Sequence, residues 1–474
     1  MNIFTKFSTL AFLAVGSTAF GQQFMGYNTS NFGGLHSLST NIASGVNSRV
    51  RLDVNLLSVD GDLGNNYFGV KSGFADVIDT MRFERFRPAY LKENSDNNFH
   101  QNANVRVLGP SVMFNVGRLS LGITTEARFM QSIDGVNKSL VANALGQLKE
   151  PVYANQTFNL SGTSANVASW TEVGAFLGYE IHKSEAFTVA VAGRFKLLGA
   201  AVSSYLTAKN MSISFKGDSL VNVGQLDINY GYSKELDGTG SDFGKTATDK
   251  LNPFNNPSLA FDAGVVVEWR PKFAKALTGS KVNYLFKFGA AINDIGSLNF
   301  QNGQYSGAYT GGAKTFKLDT MKNSVEDPEK LGTFLGKNFT KTSTNVQDYS
   351  MRLPGTLNLQ VDYHLFRPFF VNLNAVLPFS EKFNDVRLHN LTMLTLTPRF
   401  ESAWIDASLP MTYNGYGQFE AGASLRLGPI VVGSRNALNY LVNTYNYGIN
   451  AYVGFKVLIG RKKAVEKSET VTTQ

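Results

Sequence analysis

Hydrophobic and polar residues alternate along most of this chain with a period of two. Residues 356–365 read TLNLQVDYHL, with Leu357, Leu359, Val361, Tyr363 and Leu365 separated by Asn358, Gln360, Asp362 and His364. A β-strand turns successive side chains to opposite faces, so such a run is a strand with one apolar and one polar face. Residues 50–56 (VRLDVNL) set Val50, Leu52, Val54 and Leu56 against Arg51, Asp53 and Asn55. Residues 119–129, 187–197 and 447–459 repeat the pattern, placing Glu126, Arg128, Arg194, Lys196 and Lys456 on polar faces. These runs are about 9–13 residues long, above the ~5–6 of an average globular strand and close to the ~9–11 that cross a bilayer.

Strands are predicted near 49–59, 104–116, 119–130, 169–181, 186–198, 258–270, 282–293, 349–364, 369–378, 389–399, 402–410, 418–428, 429–435 and 445–459. Residues 205–232 offer a further hairpin. Long links (60–103, 131–168, 199–257, 294–348) follow odd-numbered strands, and tight ones such as Gly117-Arg118 follow even-numbered strands. That asymmetry belongs to outer-membrane barrels, with extracellular loops and periplasmic turns. No repeat of about 40–50 residues marks a propeller. The expected fold is all-β: a single transmembrane antiparallel β-barrel of about 14 strands, apolar faces to lipid and polar faces to the lumen.

Composition supports this. Of 474 residues 43% are hydrophobic and only 17% charged, with 45 Gly, 36 Phe and 19 Tyr. The net charge of +8 is spread along the chain, and no basic stripe with interleaved aromatics appears, so nucleic acid is not an expected partner. No cysteine is present, which excludes disulfides, Cys-ligated metals and a lipidated N-terminal Cys. Residues 1–21 combine Lys6, an apolar stretch from Phe7 to Phe20, and the small residues Ala19 and Gly21, which reads as a secretory signal cut before Gln22. The predicted organisation is a signal peptide (1–21), a Gly-, Asn- and Ser-rich periplasmic plug segment (22–48), the barrel (49–459) and a periplasmic tail (460–474), with both termini periplasmic. Outer-membrane lipid and lipopolysaccharide are the expected surroundings. Tyr452-x-Gly454-x-x-Val457-x-Ile459 has the form of the terminal strand signal read by the barrel-assembly machinery.

Catalytic chemistry finds little footing. None of His36, His100, His182, His364 and His389 stands in an H-x-x-x-H pair or beside a Gly-x-Ser-x-Gly turn, so neither an enzyme nor a cofactor is expected. The run from Asp60 to Asn66 has the flavour of a calcium loop but lacks its spacing and terminal Glu, and reads as a solvated turn. Asp79-Thr80-Met81, Asp218-Ser219-Leu220 and Asp319-Thr320-Met321 have the form of short O-glycosylation sequons in predicted outer loops. The inward charges carry more information: Arg51, Asp53, Glu126, Arg128, Arg194, Asp262, Glu268, Arg270 and Asp362 mix both signs. A selective ion pore would show rings of one sign. Mixed signs predict lumen ion pairs or packing against a plug.

Residues 34–60 (GLHSLSTNIASGVNSRVRLDVNLLSVD), with LGPSVMF (108–114), FDAGVVVEWRP (261–271), INDIGSLNF (292–300) and LPGTLNLQVDYHL (353–365), resemble an uncharacterised outer-membrane barrel family of Bacteroidota. Its members often carry an OmpA-like domain after the barrel; here a tail of 15 residues (460–474) stands in that place. More distantly the chain looks like the FadL-like fatty-acid transporter barrels, a group that includes a barrel shuttling type IX secretion cargo. Such barrels often carry Asn-Pro-Ala in an N-terminal plug; the matching place reads Asn41-Ile42-Ala43. Two functions are expected. The first is a non-enzymatic structural or accessory barrel partnering an envelope protein complex such as the type IX machinery. The second is a FadL-like transporter of small hydrophobic molecules through a lateral gap. A lumen filled by plug and ion pairs favours the first; a kinked or bulged strand beside an apolar lumen pocket favours the second.

Overall fold

A computed structural model of the chain forms a closed antiparallel barrel of 14 strands. It describes residues 24–71, 90–91, 98–144, 156–217, 220–238, 243–273, 284–325, 327–343, 348–366, 368–379, 386–441 and 445–461. The predicted signal peptide (1–21), the sequon positions 79–81 and 218–219, and tail residues 462–474 lie outside these.

The barrel strands, some interrupted, are β1 (Val50–Asn65), β2 (Asn98–Leu108 and Ser111–Val116), β3 (Leu119–Asn137), β4 (Thr163–Lys183), β5 (Phe187–Lys216), β6 (Pro257–Trp269) and β7 (Phe286–Phe300). They continue as β8 (Tyr349–Arg352 and Thr356–Phe366), β9 (Phe369–Pro378), β10 (Met393–Glu401), β11 (Ile405–Ser408 and Met411–Asn414), β12 (Phe419–Ala421 and Ala423–Leu427), β13 (Ile430–Ser434) and β14 (Gly448–Arg461). Closure is made by β1 against β14, from Val50↔Arg461 to Gly64↔Gly448. Tight turns gather at one end, as at Gly117-Arg118, where Gly117 takes the positive φ (61°) such a turn needs. Long links gather at the other. The hairpin expected over 205–232 is present, but beyond the barrel: the outer half of β5 pairs with Leu220–Tyr232, which pairs with Gly307–Lys317 in a lobe at the loop end.

The apolar faces point outward. Leu121, Ile123, Leu177, Phe195, Leu359 and Val453 are exposed, while Asp53, Asp262, Asp362 and Lys456 on the other face are wholly buried. A soluble sheet would reverse this arrangement. Near the turn end Phe187, Trp269, Phe286 and Tyr363 stack in succession, as in the aromatic girdles of membrane barrels. No described helix is long and apolar enough to cross a membrane. Leu359→Arg, on the lipid face of β8, will destabilise the folded barrel by about 2–4 kcal/mol. Denaturant titration of the barrel in lipid vesicles reads this loss, and an unchanged midpoint would mean that this face does not meet lipid.

Candidate functional site

The chain before β1 runs through the lumen. Residues 24–43 are all buried, and two short 3₁₀ turns, Gly34–Ser39 and Ile42–Gly45, shape the segment. The barrel holds it with charged and amide side chains. Asp53 accepts from the Leu35 amide (2.8 Å) and pairs with Lys456 (2.8 Å), which also donates to the Gly33 carbonyl (2.6 Å). The Asn31 amide donates to Glu401 (3.0 Å), while Asn293 and Asn358 donate to the Thr40 carbonyl. Asn41 caps the second turn by accepting from the Ala43 amide (2.9 Å) and donates to the Val265 carbonyl (3.1 Å). Ile42 and Ala43 are fully buried against this wall. β6 and β7 carry Gly264 and Gly289 opposite Asn41, where a Cβ would stand 2.4 and 2.6 Å from its amide. These glycines make room for the plug.

Above the plug lies a floor of ion pairs. Arg194 grips Asp262 (2.6 Å) and reaches Glu126 (3.3 Å), which also pairs with Arg106 (2.5 Å). Arg128 pairs with Glu172 (3.0 Å) and Asp294 (2.9 Å). Lys196 bridges Asp262 (3.1 Å), Glu172 (3.6 Å) and Asp294. Elsewhere Asp362 takes both ends of the Arg399 guanidinium at 2.6 Å, Arg426 pairs with Asp406, and Arg435 with Asp62 and Glu420. Glu268 and Arg270 (3.1 Å) meet at the turn-end rim, where Arg270 is only partly buried. The sequence reading left Arg106, Asp294, Arg399, Glu401 and Arg435 out of its inward set; the structure buries all five in ion pairs.

Two expectations need correction. Arg51 is exposed: it sits in the first residues of β1, below the lumen, with its stem beside Gly460. Asp60 and Asp62 are no solvated turn. β1 continues to Asn65, and a bulge between Asn55 and Leu57 shifts its inward face, so both carboxylates point into the lumen and are buried.

Directly above the ionic floor the inward face turns apolar. One inward step separates Arg128 from Met130, Glu172 from Trp170, Lys196 from Leu198 and Asp262 from Ala260. With Leu298, Phe300, Met351, Leu353 and Leu388 these residues form a buried apolar cluster. Trp170 joins the two layers, its Nε1–H donating to Glu172 (2.7 Å) and its ring lying under the Arg128 guanidinium (4.8 Å).

At the same height the wall is interrupted. Along β7 the buried positions are odd-numbered through Asn293 and even-numbered from Asp294, because a bulge opposite Asp262 inserts a residue. Asp294 takes φ +58°, an uncommon conformation for a residue with a side chain, and its amide donates to Asp262 (2.7 Å). Next to it β8 breaks at Leu353-Pro354-Gly355, and its buried positions change from Met351 and Leu353 to Thr356 and Asn358. Two neighbouring strands thus switch faces side by side. Beside this switch, where the Leu353 amide still donates to the Gly296 carbonyl (3.1 Å), opens a cavity of about 160 Å³ whose apolar lining includes Ile295, Leu353, Pro378, Phe379 and Leu388, with Asp294, Arg352, Arg387 and His389 at its polar edge. Ile295 and Phe379 are exposed on the outer face, while Leu353 and Leu388 belong to the lumen cluster. The cavity therefore lies between lipid and the apolar layer. A strap, residues 386–390, backs it from within. It is tied to the break by the Leu388 amide on the Arg352 carbonyl (3.1 Å) and Asn390 on the Pro354 carbonyl (3.1 Å). It is tied to the facing wall by Asn102 on the His389 carbonyl (2.7 Å) and His389 beside Asp134 (3.3 Å), which also meets His100 (2.9 Å).

Among solved structures, the chain is similar to the toluene transporter TbuX of Ralstonia pickettii, at 9% identity over 94% of this chain and 100% of that one, with a TM-score of 0.41. It is also similar to a deltaS2S3 mutant of the monoaromatic hydrocarbon channel TodX, at 8% identity over 90% and 95% of the two chains, with a TM-score of 0.42. The monoaromatic hydrocarbon channel CymD matches at 10% identity over 93% and 98%, with a TM-score of 0.34. No curated protein matches the sequence. The model of the family of unknown function DUF5723 matches residues 43–434, most of the chain, and this protein belongs to that family.

Proposed function

We propose that this barrel sits in the outer membrane, loops outward and both termini periplasmic, and carries small apolar molecules from the loop end into the membrane through the break between β7 and β8. The observation that supports this most is the paired switch of faces at Asn293-Asp294 and Pro354-Gly355, with a mostly apolar cavity set between the outward-facing Ile295 and Phe379 and the lumen residues Leu353 and Leu388. Its 160 Å³ compares with the ~150 Å³ of an apolar cavity known to take benzene. An apolar solute reaching the lumen cluster meets the ionic floor below it. Passage through that floor would strip charges of partners and hydration at a cost of several kcal/mol each. The sideways route meets mostly apolar groups, so it is the easier way out.

The plugged, ion-paired floor taken alone also suits an accessory barrel of an envelope complex. That role leaves the wall break unused, and no described feature favours a particular partner. Titration of the purified barrel with labelled toluene separates the readings. Transport predicts saturable binding beyond micelle partitioning, weakened about tenfold or more by Leu353→Trp, which fills the cavity. Binding that never saturates, or that ignores Leu353→Trp, would remove the transport reading.

A further inference from the structure

Asp60 is a buried carboxylate short of a partner. It is fully inaccessible, and its Oδ2 accepts the backbone N–H of Phe24 at 2.5 Å. Its Oδ1 is buried and has no hydrogen-bond partner. The guanidinium across the strand pair, Arg106, is engaged by Glu126 (2.5 Å). Two residues along, Asp62 shares Arg435 with Glu420. Among the described residues, this corner of the lumen sets the carboxylates of Asp60, Asp62 and Glu420 beside Arg435, with Arg106, across from Asp60, already engaged by Glu126. A buried, unpaired carboxylate is strongly destabilising unless a cation or hydrogen-bond donors reach it.

Phe24 is fixed by edge contacts of its ring with His36 (4.3 Å) and Tyr452 (5.5 Å). Its backbone is held at φ 44°, a costly conformation for a bulky residue, and its N–H is aimed at Asp60. A signal sequence cut before Gln22 leaves an α-ammonium two residues upstream of Phe24, and two residues span at most about 7 Å. We propose that Asp60 is the receptor for the protein's own amino terminus: the α-ammonium released by signal cleavage pairs with its free oxygen and seats the plug in the lumen. Before cleavage the same position holds a neutral peptide group, so full seating of the plug follows processing. The proposal rests on that cleavage site and is independent of the transport reading.

Amine labelling of the intact mature barrel tests it. The folded protein is treated with formaldehyde and cyanoborohydride, and the terminal peptide is followed by mass spectrometry. The α-amine should react about tenfold or more slowly than in the urea-unfolded protein, because a paired ammonium resists loss of its proton. Asp60→Asn should restore the unfolded rate while surface lysines react as before. An α-amine that labels freely in the folded wild type overturns the proposal. So does one equally protected in Asp60→Asn, which would reflect burial alone, or a native terminus found cyclised, blocked or cut far from Gln22. Should Asp60→Asn fail to fold, the pH dependence of labelling in the folded wild type decides: a paired α-ammonium is released for labelling only at a higher pH than in the unfolded chain, whereas one that is merely buried is released at a lower pH, which overturns the proposal.

Discussion

Asp262→Asn will destabilise the barrel by about 3–5 kcal/mol, among the largest losses expected from so small a change. The substitution keeps the size of the side chain and removes its charge. Asp262 is fully buried and takes two bonds from Arg194, at 2.7 Å from Nε and 2.6 Å from Nη2. It also pairs with Lys196 (3.1 Å) and accepts the amide of Asp294 (2.7 Å). In the floor the cations Arg106, Arg128, Arg194 and Lys196 balance the carboxylates Glu126, Glu172, Asp262 and Asp294. Neutralising Asp262 leaves one buried positive charge in excess and loosens the turn at Asp294, where β7 bulges. Urea unfolding in detergent, followed by the gel shift between folded and unfolded barrel, measures the loss. Glu268→Gln is the control: its partner Arg270 is partly solvated at the rim, so its loss should stay within about 1 kcal/mol. Equal losses from the two would show that the floor is no more demanding than a surface pair.

On the transport reading, Gly355→Leu will cut the rate at which a small apolar solute crosses an outer membrane through this protein by about tenfold or more, with at most about 1–3 kcal/mol of destabilisation. Gly355 lies in the break of β8 and lines the cavity. A Cβ there would stand 3.0 Å from the Phe379 ring and 3.4 Å from the Asp294 carbonyl, so a leucine fills the mouth rather than the lipid face. The effect is steric, so it should appear in the initial entry rate of labelled toluene into cells with an intact lipopolysaccharide leaflet. Leu388→Ala, which trims the strap on the lumen side, should leave entry unchanged or raise it. Wild-type entry through Gly355→Leu barrels would exclude this break as the route.

Much of the architecture was legible because a membrane barrel imposes one rule on every strand. Alternation located fourteen strands, and loop lengths separated the two ends. The inward charges were legible for the same reason: Asp53, Glu126, Arg128, Arg194, Asp262 and Asp362 fall on polar faces and are buried in ion pairs. Their partners were not legible, since Arg128 and Asp294 are 166 positions apart and meet only when the barrel closes. Arg51 departs because alternation gives the face of a residue but not its height. The Asp60–Asp62 misreading has a related cause: a bulge shifted the inward face, and the glycine between the carboxylates suggested a turn where the strand continues.

The wall break left a trace that alternation alone passes over. Asn293 and Asp294 are adjacent polar residues inside an otherwise alternating run, and Pro354-Gly355 separates two alternating runs. Each marks a local change of face. Only the register shows that the two lie side by side, with Asn293 paired to Thr356 and Ser297 to Arg352. The apolar layer left a trace too, in the passage from charged to apolar inward residues on β3, β4, β5 and β6.

The most direct test is a crystal structure of the purified barrel soaked with bromobenzene, whose bromine marks its own position by anomalous scattering. The account predicts a bromine peak between Ile295, Leu353, Phe379 and Leu388, with β7 and β8 parted beside it. Bromine found only along the outer lipid-facing belt, with the two strands joined by an unbroken ladder from 293 to 297, would contradict it.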